Sequence, residues 1–457
     1  MNNAVPRLLF AGGSSGSGKT TVSCAFLAAL KSRGMNPAAF KCGPDFIDPM
    51  FHTTALGVPC RNLDIFLCGE ATVRNLLAEH GRGRDIALIE GVMGLYDGMG
   101  QNQHCSSNHI AELTETPTIL VVNCNGQSLS VAAQVYGMLH FRPNTIKGVI
   151  FNRIPEKMYG FYKKMLEDEL GLPCFGFLPK LPDADISSRH LGLVTPAEIR
   201  DIHSKIEVLG QAAEAHLDLD GLLALSRSAP LLDTSDDMFL EDCAQPNVTI
   251  AVARDKAFCF YYEDSLDVLR RMGAHLEFFS PLEQECLPIG ISGLILGGGY
   301  PEEHAAMLSA NVAMRQSIRN AVHKGMPVFA ECGGFMYLCN SLEDREGIVH
   351  PMLGLIDADA RMTTSLKRFG YITLTAETDG AFCKKGQTFN AHEFHYSDSS
   401  DNGQSFKAVK PSGMSWQCIH TQGQIFAGYP HIHLRGALEL AQAFVTRCAA
   451  YKQENGL

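Results

Sequence analysis

The 457-residue chain is 46% hydrophobic and 19% charged, a globular composition that excludes a disordered polymer and, at this length, requires two or three separate cores. A formal net charge of −11 without a lysine- or arginine-rich run argues against nucleic acid or an anionic membrane as partner, and no apolar stretch reaches the roughly 18 residues of a membrane helix. That charge balance points to small-molecule partners, and the fifteen cysteines, with no CxxC pair or metal-ligand spacing, point to a reducing compartment.

Met1 leads directly into the strand-like Arg7-Leu8-Leu9-Phe10 without a signal-peptide pattern, so a cytoplasmic location is expected. Short apolar runs at Leu8–Ala11, Ile86–Glu90, Ile119–Val122 and Gly148–Phe151 read as buried parallel strands between helical patterns. After the first of them, Gly13-Ser14-Ser15-Gly16-Ser17-Gly18-Lys19-Thr20 matches GxxxxGK(S/T) and opens a helix predicted over Thr21–Lys31. Glycines let the backbone amides curl around an anion, Lys19 reaches terminal phosphate oxygens, and the Thr20 hydroxyl can ligate magnesium.

The strand Asp85–Glu90 ends in a carboxylate, where a magnesium-organising acid is expected, and Glu90 is the first acidic candidate. Between these two elements Lys41-Cys42-Gly43-Pro44-Asp45-Phe46-Ile47-Asp48-Pro49 sets a lysine and two carboxylates on a turn-rich loop. Asp45 and Asp48 either hold magnesium and orient substrate or serve as turn formers beside the prolines. Asp64 and Asp97 pose the same choice.

From about Pro182 to Pro246 the strand signal fades; Ala197–Leu225 has helical spacing and Asp233–Asp242 reads as an acidic linker. A second α/β series follows, with strands at Val248–Ala253, Leu294–Gly297 and Pro327–Ala330 and helices over Leu266–Gly273 and His304–Lys324. The predicted architecture is α/β, two doubly wound domains in tandem: residues 1–190, a helical segment and linker over 191–245, and 246–445, each with its site at the carboxyl ends of its strands.

In the second series Val328-Phe329-Ala330-Glu331-Cys332-Gly333-Gly334-Phe335 is a buried strand stopping at a cysteine, then two glycines and a helical pattern, the setting of a nucleophile elbow. A helix starting there favours the thiolate. The upstream loop Leu296-Gly297-Gly298-Gly299-Tyr300 can offer backbone N–H groups from Gly298 and Gly299 to an oxyanion. His431 and His433, two apart on an extended segment, share a face, and either could be the base for Cys332.

The runs GGSSGSGKTT, KCGPDFIDP, IEGVMGLYDG, IAVARDKAFCFYY, ILGGGYPE, AECGGFMYL, HEFHYS and GYPHIHL together resemble the cobyrinic acid a,c-diamide synthase family of cobalamin biosynthesis, over nearly the whole chain. The resemblance implies a dethiobiotin-synthetase-like P-loop domain followed by a class I glutamine amidotransferase-like domain that lacks the usual third acid of its triad. It implies ATP and Mg2+ as cofactors, with glutamine and a corrinoid polycarboxylate as substrates. Two peripheral acetates, a and c, are then amidated through acyl phosphates with ammonia from glutamine.

Carried over by position, Gly13, Ser15, Gly16, Gly18, Lys19, Thr20 and Thr21 bind ATP with Lys41 as a phosphate clamp and Asn152 near adenine. Thr20, Asp45 and Glu90 are the metal candidates, while Asp48, Asp64 and Asp97 surround the activated carboxylate. Cys332 is the nucleophile, and the family pattern favours His433 over His431 as base. Asn390-Ala391 stand where the family often has arginine-glycine, and His431-Ile432-His433 replaces the common His-Pro-Glu. The same chemistry also fits hydrogenobyrinic acid or nickel-sirohydrochlorin as substrate, and a reading of another class is a switch ATPase fused to a degenerate amidotransferase-like binding module.

Overall fold

The computed structural model describes residues 4–182, 202–234 and 247–457. The chain divides into two units, one of Met1–Ile65 with Gly69–Asp237 and one of Phe66–Cys68 with Met238–Leu457. Among the described residues no helix is long and apolar enough to cross a membrane.

In the first unit β1 (Arg7–Gly12), β2 (Pro37–Cys42), β3 (Cys60–Leu63), β4 (Ile86–Glu90), β5 (Thr118–Asn123), β6 (Ile146–Asn152) and β7 (Cys174–Leu178) form one sheet in the order β3-β2-β4-β1-β5-β6-β7. All its pairings are parallel. β1, β2 and β4 are buried along their whole length, as strands covered by helices on both faces must be. Helix α1 (Lys19–Ser32) buries Val22, Phe26 and Leu30, and α2 (Ile202–His216) packs on it through Ile206, Leu209 and Ala213.

Pairing of β4 with both β1 and β2 sets Glu90 opposite Phe10 on one side and Lys41 on the other. The phosphate loop leaves β1 where the chain switches from β4 on one flank to β5 on the other, the crevice in which open α/β sheets bind ligands.

The second unit is built on β8 (Val248–Ala253), β9 (Ala274–Phe279), β10 (Gly293–Leu296) and β11 (Val328–Glu331), joined by a late strand, Ile425–Gly428, that pairs parallel with β11. Against this parallel sheet lies an antiparallel one built from Arg368–Ala376, Thr388–His395, Phe406–Val409, Ser415–Cys418 and His431–Ile432. Phe329 and Phe426 of the first sheet share a core with Phe389 and Phe406 of the second.

The expected strands stand within two residues of their predicted ends, in the parallel doubly wound sheet of each unit. The antiparallel sheet was not expected: its strands mix polar and apolar residues and hold together by long-range pairing rather than by a continuous apolar run. The single helix predicted over His304–Lys324 is instead a 3-10 turn (Pro301–His304) and two helices, Ala305–Ala310 and Val312–His323. Asn311 makes the break, accepting from Met314 N and donating to the carbonyls of Pro281 and Gln284. The expected linker over Asp233–Asp242 lies, from residue 235 on, outside the described residues, as do residues 191–201 of the expected helical segment.

Candidate active sites

In the first unit the loop after β1 turns through Gly16 and Gly18, both at positive φ, and α1 starts at Lys19. A Cβ on Gly18 would stand 1.8 Å from Asn152 Nδ2, so glycine is required there on two grounds. Asn152, at the end of β6 and 1% exposed, donates to the Ser17 carbonyl at 3.0 Å. It braces the loop from beneath and does not line the cavity of about 350 Å³ beside Gly13–Ser17, which is walled by Val121–Asn123, Gln134 and Met138.

The residues that sequence reasoning set around the phosphates do meet. Lys19 Nζ donates to the carbonyls of Ser14 (3.0 Å) and Met93 (2.5 Å). Glu90 Oε1 accepts from Thr20 Oγ1 at 2.6 Å and from Lys41 Nζ at 2.9 Å. Lys41 also donates to Asp48 Oδ2 at 2.5 Å, and Thr20 reaches the same oxygen at 3.3 Å.

Asp45 stands further out. Its Oδ1 accepts the N–H groups of Ile47 and Asp48, and its Oδ2 is 3.9 Å from Lys41 Nζ, so it combines the turn-forming role with a charge near the cluster. Asp97 accepts the Gly94 N–H at 2.8 Å and lies near enough to Lys19 to raise its pKa. Asp64 is buried just beyond β3.

Sequence reasoning missed His52. It lies on a π-helical turn, Phe51–Ala55, a rare form frequent at functional sites, and its Nε2 is 2.9 Å from Glu90 Oε2. The available signal was its spacing, four residues past Asp48 on one helical face. Burial would depress His52, but Cys24 and Glu90 hold it up at about 10.

Burial works against charge throughout this cluster. It pushes Glu90 upward, and Lys41 and His52 reverse that to leave it well below the carboxylate range. It opposes the Lys41 ammonium, which Asp48, Glu90 and Asp45 nevertheless hold well above the usual lysine value. Burial and then Lys41 bring Lys19 down to about 8.

In the second unit β11 ends at Glu331, and Cys332 follows at φ 48°, ψ −105°. A positive φ on a non-glycine residue is strained, and here it lifts the thiol off the strand end while Cys332 N donates to Gly428 O at 2.8 Å. The glycines after it allow close packing: a Cβ on Gly334 would fall 2.0 Å from Leu296 O, and one on Gly333 2.8 Å from Pro301 Cδ. A Cβ on Gly298 would fall 2.5 Å from His431 Cε1. The elbow, the glycine turn and His431 therefore converge. Tyr261 Oη accepts the Gly297 N–H at 2.9 Å and so fixes the start of that turn.

The two histidines separate. His431 interacts with Cys332 through a side-chain hydrogen bond; burial would lower its pKa, but Cys332 and Glu331 raise it to about 10. His433 stacks on Tyr262, ring centroids 4.7 Å apart, and accepts the Arg435 N–H on Nδ1. Sequence reasoning leaned to His433; the tertiary structure instead sets His431 at the thiol, because the strand paired with Thr388–His395 ends at Ile432 and His433 leaves it to cap the 3-10 turn Leu434–Gly436. Asn390, in place of the frequent arginine, accepts from Thr373 Oγ1 on the adjacent strand.

Residues 8–194 match the CobQ/CobB/MinD/ParA nucleotide binding domain, and residues 249–438 the CobB/CobQ-like glutamine amidotransferase domain. Curated relatives extend over nearly the whole chain. A cobyrinate a,c-diamide synthase from Caldanaerobacter subterraneus subsp. tengcongensis is 39% identical, covering 97% of this chain and 98% of its own. Proteins of the same name from Fusobacterium nucleatum and Listeria monocytogenes are 40% and 41% identical, covering 95% and 93% of this chain and 98% and 96% of their own. A nucleotide-binding unit with its phosphate loop intact, an elbow cysteine paired with histidine, and similarity over nearly the whole chain to these synthases agree: the chain belongs to the cobyrinate a,c-diamide synthase family.

Proposed function

We propose that the chain amidates the a and c acetate side chains of cobyrinic acid, with ATP as activator and glutamine as nitrogen donor. The observation that supports this reading is that one chain, similar along its length to synthases of that name, brings Lys41, Thr20 and Glu90 together beside the phosphate loop in one unit and Cys332, His431 and the Gly298–Gly299 turn together in the other.

In the glutaminase half, the Cys332 thiolate attacks the side-chain amide carbon of glutamine. The Gly298–Gly299 turn offers backbone N–H groups to the developing oxyanion. The protonated His431 gives its proton to the leaving nitrogen, ammonia departs, and water then releases glutamate from the thioester with His431 as base.

In the ligase half, an acetate oxygen attacks the γ-phosphorus of ATP and ADP leaves. Lys19 and Lys41 place positive charge at the phosphoryl group. Ammonia attacks the acyl carbon, phosphate departs, and an amide remains. The donor set of Thr20 hydroxyl with Glu90 and Asp45 carboxylates is all hard oxygen and fits magnesium, which would neutralise phosphate charge there. Asp48, bonded to both Lys41 and Thr20, is a further donor in reach.

The test is mass spectrometry of products after incubation with cobyrinic acid, ATP, magnesium and amide-labelled glutamine, beside reactions with hydrogenobyrinic acid and nickel-sirohydrochlorin. Two labelled amides on the cobalt corrinoid is the expected result. Labelling confined to another tetrapyrrole would move the substrate and keep the chemistry; no labelling on any of them would overturn the reading in favour of a binding module.

A further inference from the structure

Glutaminases of this architecture commonly carry an acid two residues after the base, in His-Pro-Glu. Here that position is His433, whose ring is stacked on Tyr262 and whose Nδ1 accepts from Arg435 N. An acid nevertheless stands at the base, and it comes from the other side of the elbow. Glu331 is the residue before the nucleophile, at the last position of β11, level with Gly428 on the neighbouring strand. Three residues beyond Gly428 the chain reaches His431, and Glu331 Oε2 lies 3.7 Å from His431 Nδ1 while its Oε1 accepts the Ile432 N–H at 2.8 Å. The two side chains are 13% and 3% exposed, so solvent screens the pair little.

We infer that Glu331 is the positioning acid of the glutaminase half: anchored by Ile432 N–H, it holds the His431 ring with Nδ1 toward itself and Nε2 toward Cys332, and stabilises the imidazolium. This rests on the proposed cysteine-nucleophile reading. Three observations support it. The backbone anchor leaves Glu331 one degree of freedom fewer, so its second oxygen is aimed. The strand partner across from His431 is His392, which burial and the His431 charge drive down to about 3, so it brings no countercharge. The raised pKa of His431 has Glu331 among its causes after Cys332. Placing the acid on the strand that carries the nucleophile also explains how a Cys-His site without the usual third residue can keep an oriented base.

Glu331→Gln separates the two roles of the side chain, because an amide oxygen still accepts from Ile432 but carries no charge. The assay is glutamate release from glutamine by the full-length protein, with ammonium-driven amide formation as a control for folding. The expected result is a kcat for glutamate release lower by about 10²-fold, as loss of a base's oriented charge partner gives, with KM for glutamine within about twofold and the ammonium-driven rate unchanged. Inactivation by a glutamine-like chloroketone, which reads the thiolate directly, should slow in parallel. A Glu331→Gln enzyme with kcat and inactivation rate within threefold of the parent would limit Glu331 to its backbone bond and overturn the inference. Should that variant not fold, Glu331→Asp, which keeps the charge and shortens its reach, must lie between parent and Cys332→Ala in kcat, and parental kcat would count against the inference. Glutamate release that survives Cys332→Ala would instead overturn the underlying nucleophile reading.

Discussion

Glu90 is the most constrained side chain of the ligase half. At 1% exposure it faces Lys41 and His52 at 2.9 Å each and the Thr20 hydroxyl at 2.6 Å. Removing one partner of a buried ion pair leaves the other desolvated without compensation, a cost of about 3–5 kcal/mol. Glu90→Ala is therefore expected to lose about that much stability in chemical denaturation, and Glu90→Gln, which keeps an acceptor for Thr20, distinctly less; a Glu90→Ala protein as stable as the parent would show that the pair does not hold the cluster.

Glu302 gives a pH signature in the second unit. Burial, with Glu303 adding to it, raises its pKa from the ordinary carboxyl value of 4.5 to about 7. A carboxyl with a raised native pKa binds its proton more tightly folded than unfolded, so it contributes stability that is fully present below about pH 4.5 and is lost as pH rises through about 7. The stability difference between the parent and Glu302→Gln should therefore fall by up to about 3 kcal/mol in favour of the variant between those limits. Denaturation midpoints at pH 5 and pH 8 check this, and parallel curves would show that Glu302 ionises normally.

At the scale of elements, both sites depend on glycines that allow a helix to start directly off a strand. Gly334 lets the short helix Gly333–Leu338 lie against β10, since any Cβ would meet Leu296 O at 2.0 Å. Gly334→Ala should cost about 1–3 kcal/mol through backbone displacement and abolish glutamate release while ammonium-driven amidation persists. Gly18→Ala should do the reverse, because its φ of +91° and its 1.8 Å approach to Asn152 distort only the phosphate loop. The strands that position these glycines were legible in sequence because parallel strands buried on both faces are continuous apolar runs. β3, with Arg61 and Asn62 among its four residues, and the antiparallel sheet were not, since short polar-apolar strands resemble loops until their partners are known.

At the scale of the whole molecule, the two half-reactions should separate genetically. Lys19→Met is expected to retain glutamate release and to lose ATP-dependent amide formation from both glutamine and ammonium. Cys332→Ala should lose only the glutamine-supported reaction. If either variant abolishes both halves while remaining folded, the division of labour between the units fails.

The sequence by itself determined the two doubly wound units, the phosphate loop, the acid ending β4 and the elbow cysteine, because each is a local pattern whose chemistry requires its spacing: a glycine-rich turn between strand and helix, or a carboxylate or thiol at the end of a buried strand. Only the tertiary structure decided which histidine faces Cys332, that Glu331 stands behind it, that His52 shares Glu90 with Lys41, and that Asn152 supports the loop from below. Those choices follow from strand register and helix packing between residues tens to more than a hundred positions apart, and His431 and His433, two apart on an extended segment, are equivalent in sequence until the paired strand ends at Ile432 and the chain turns away with His433.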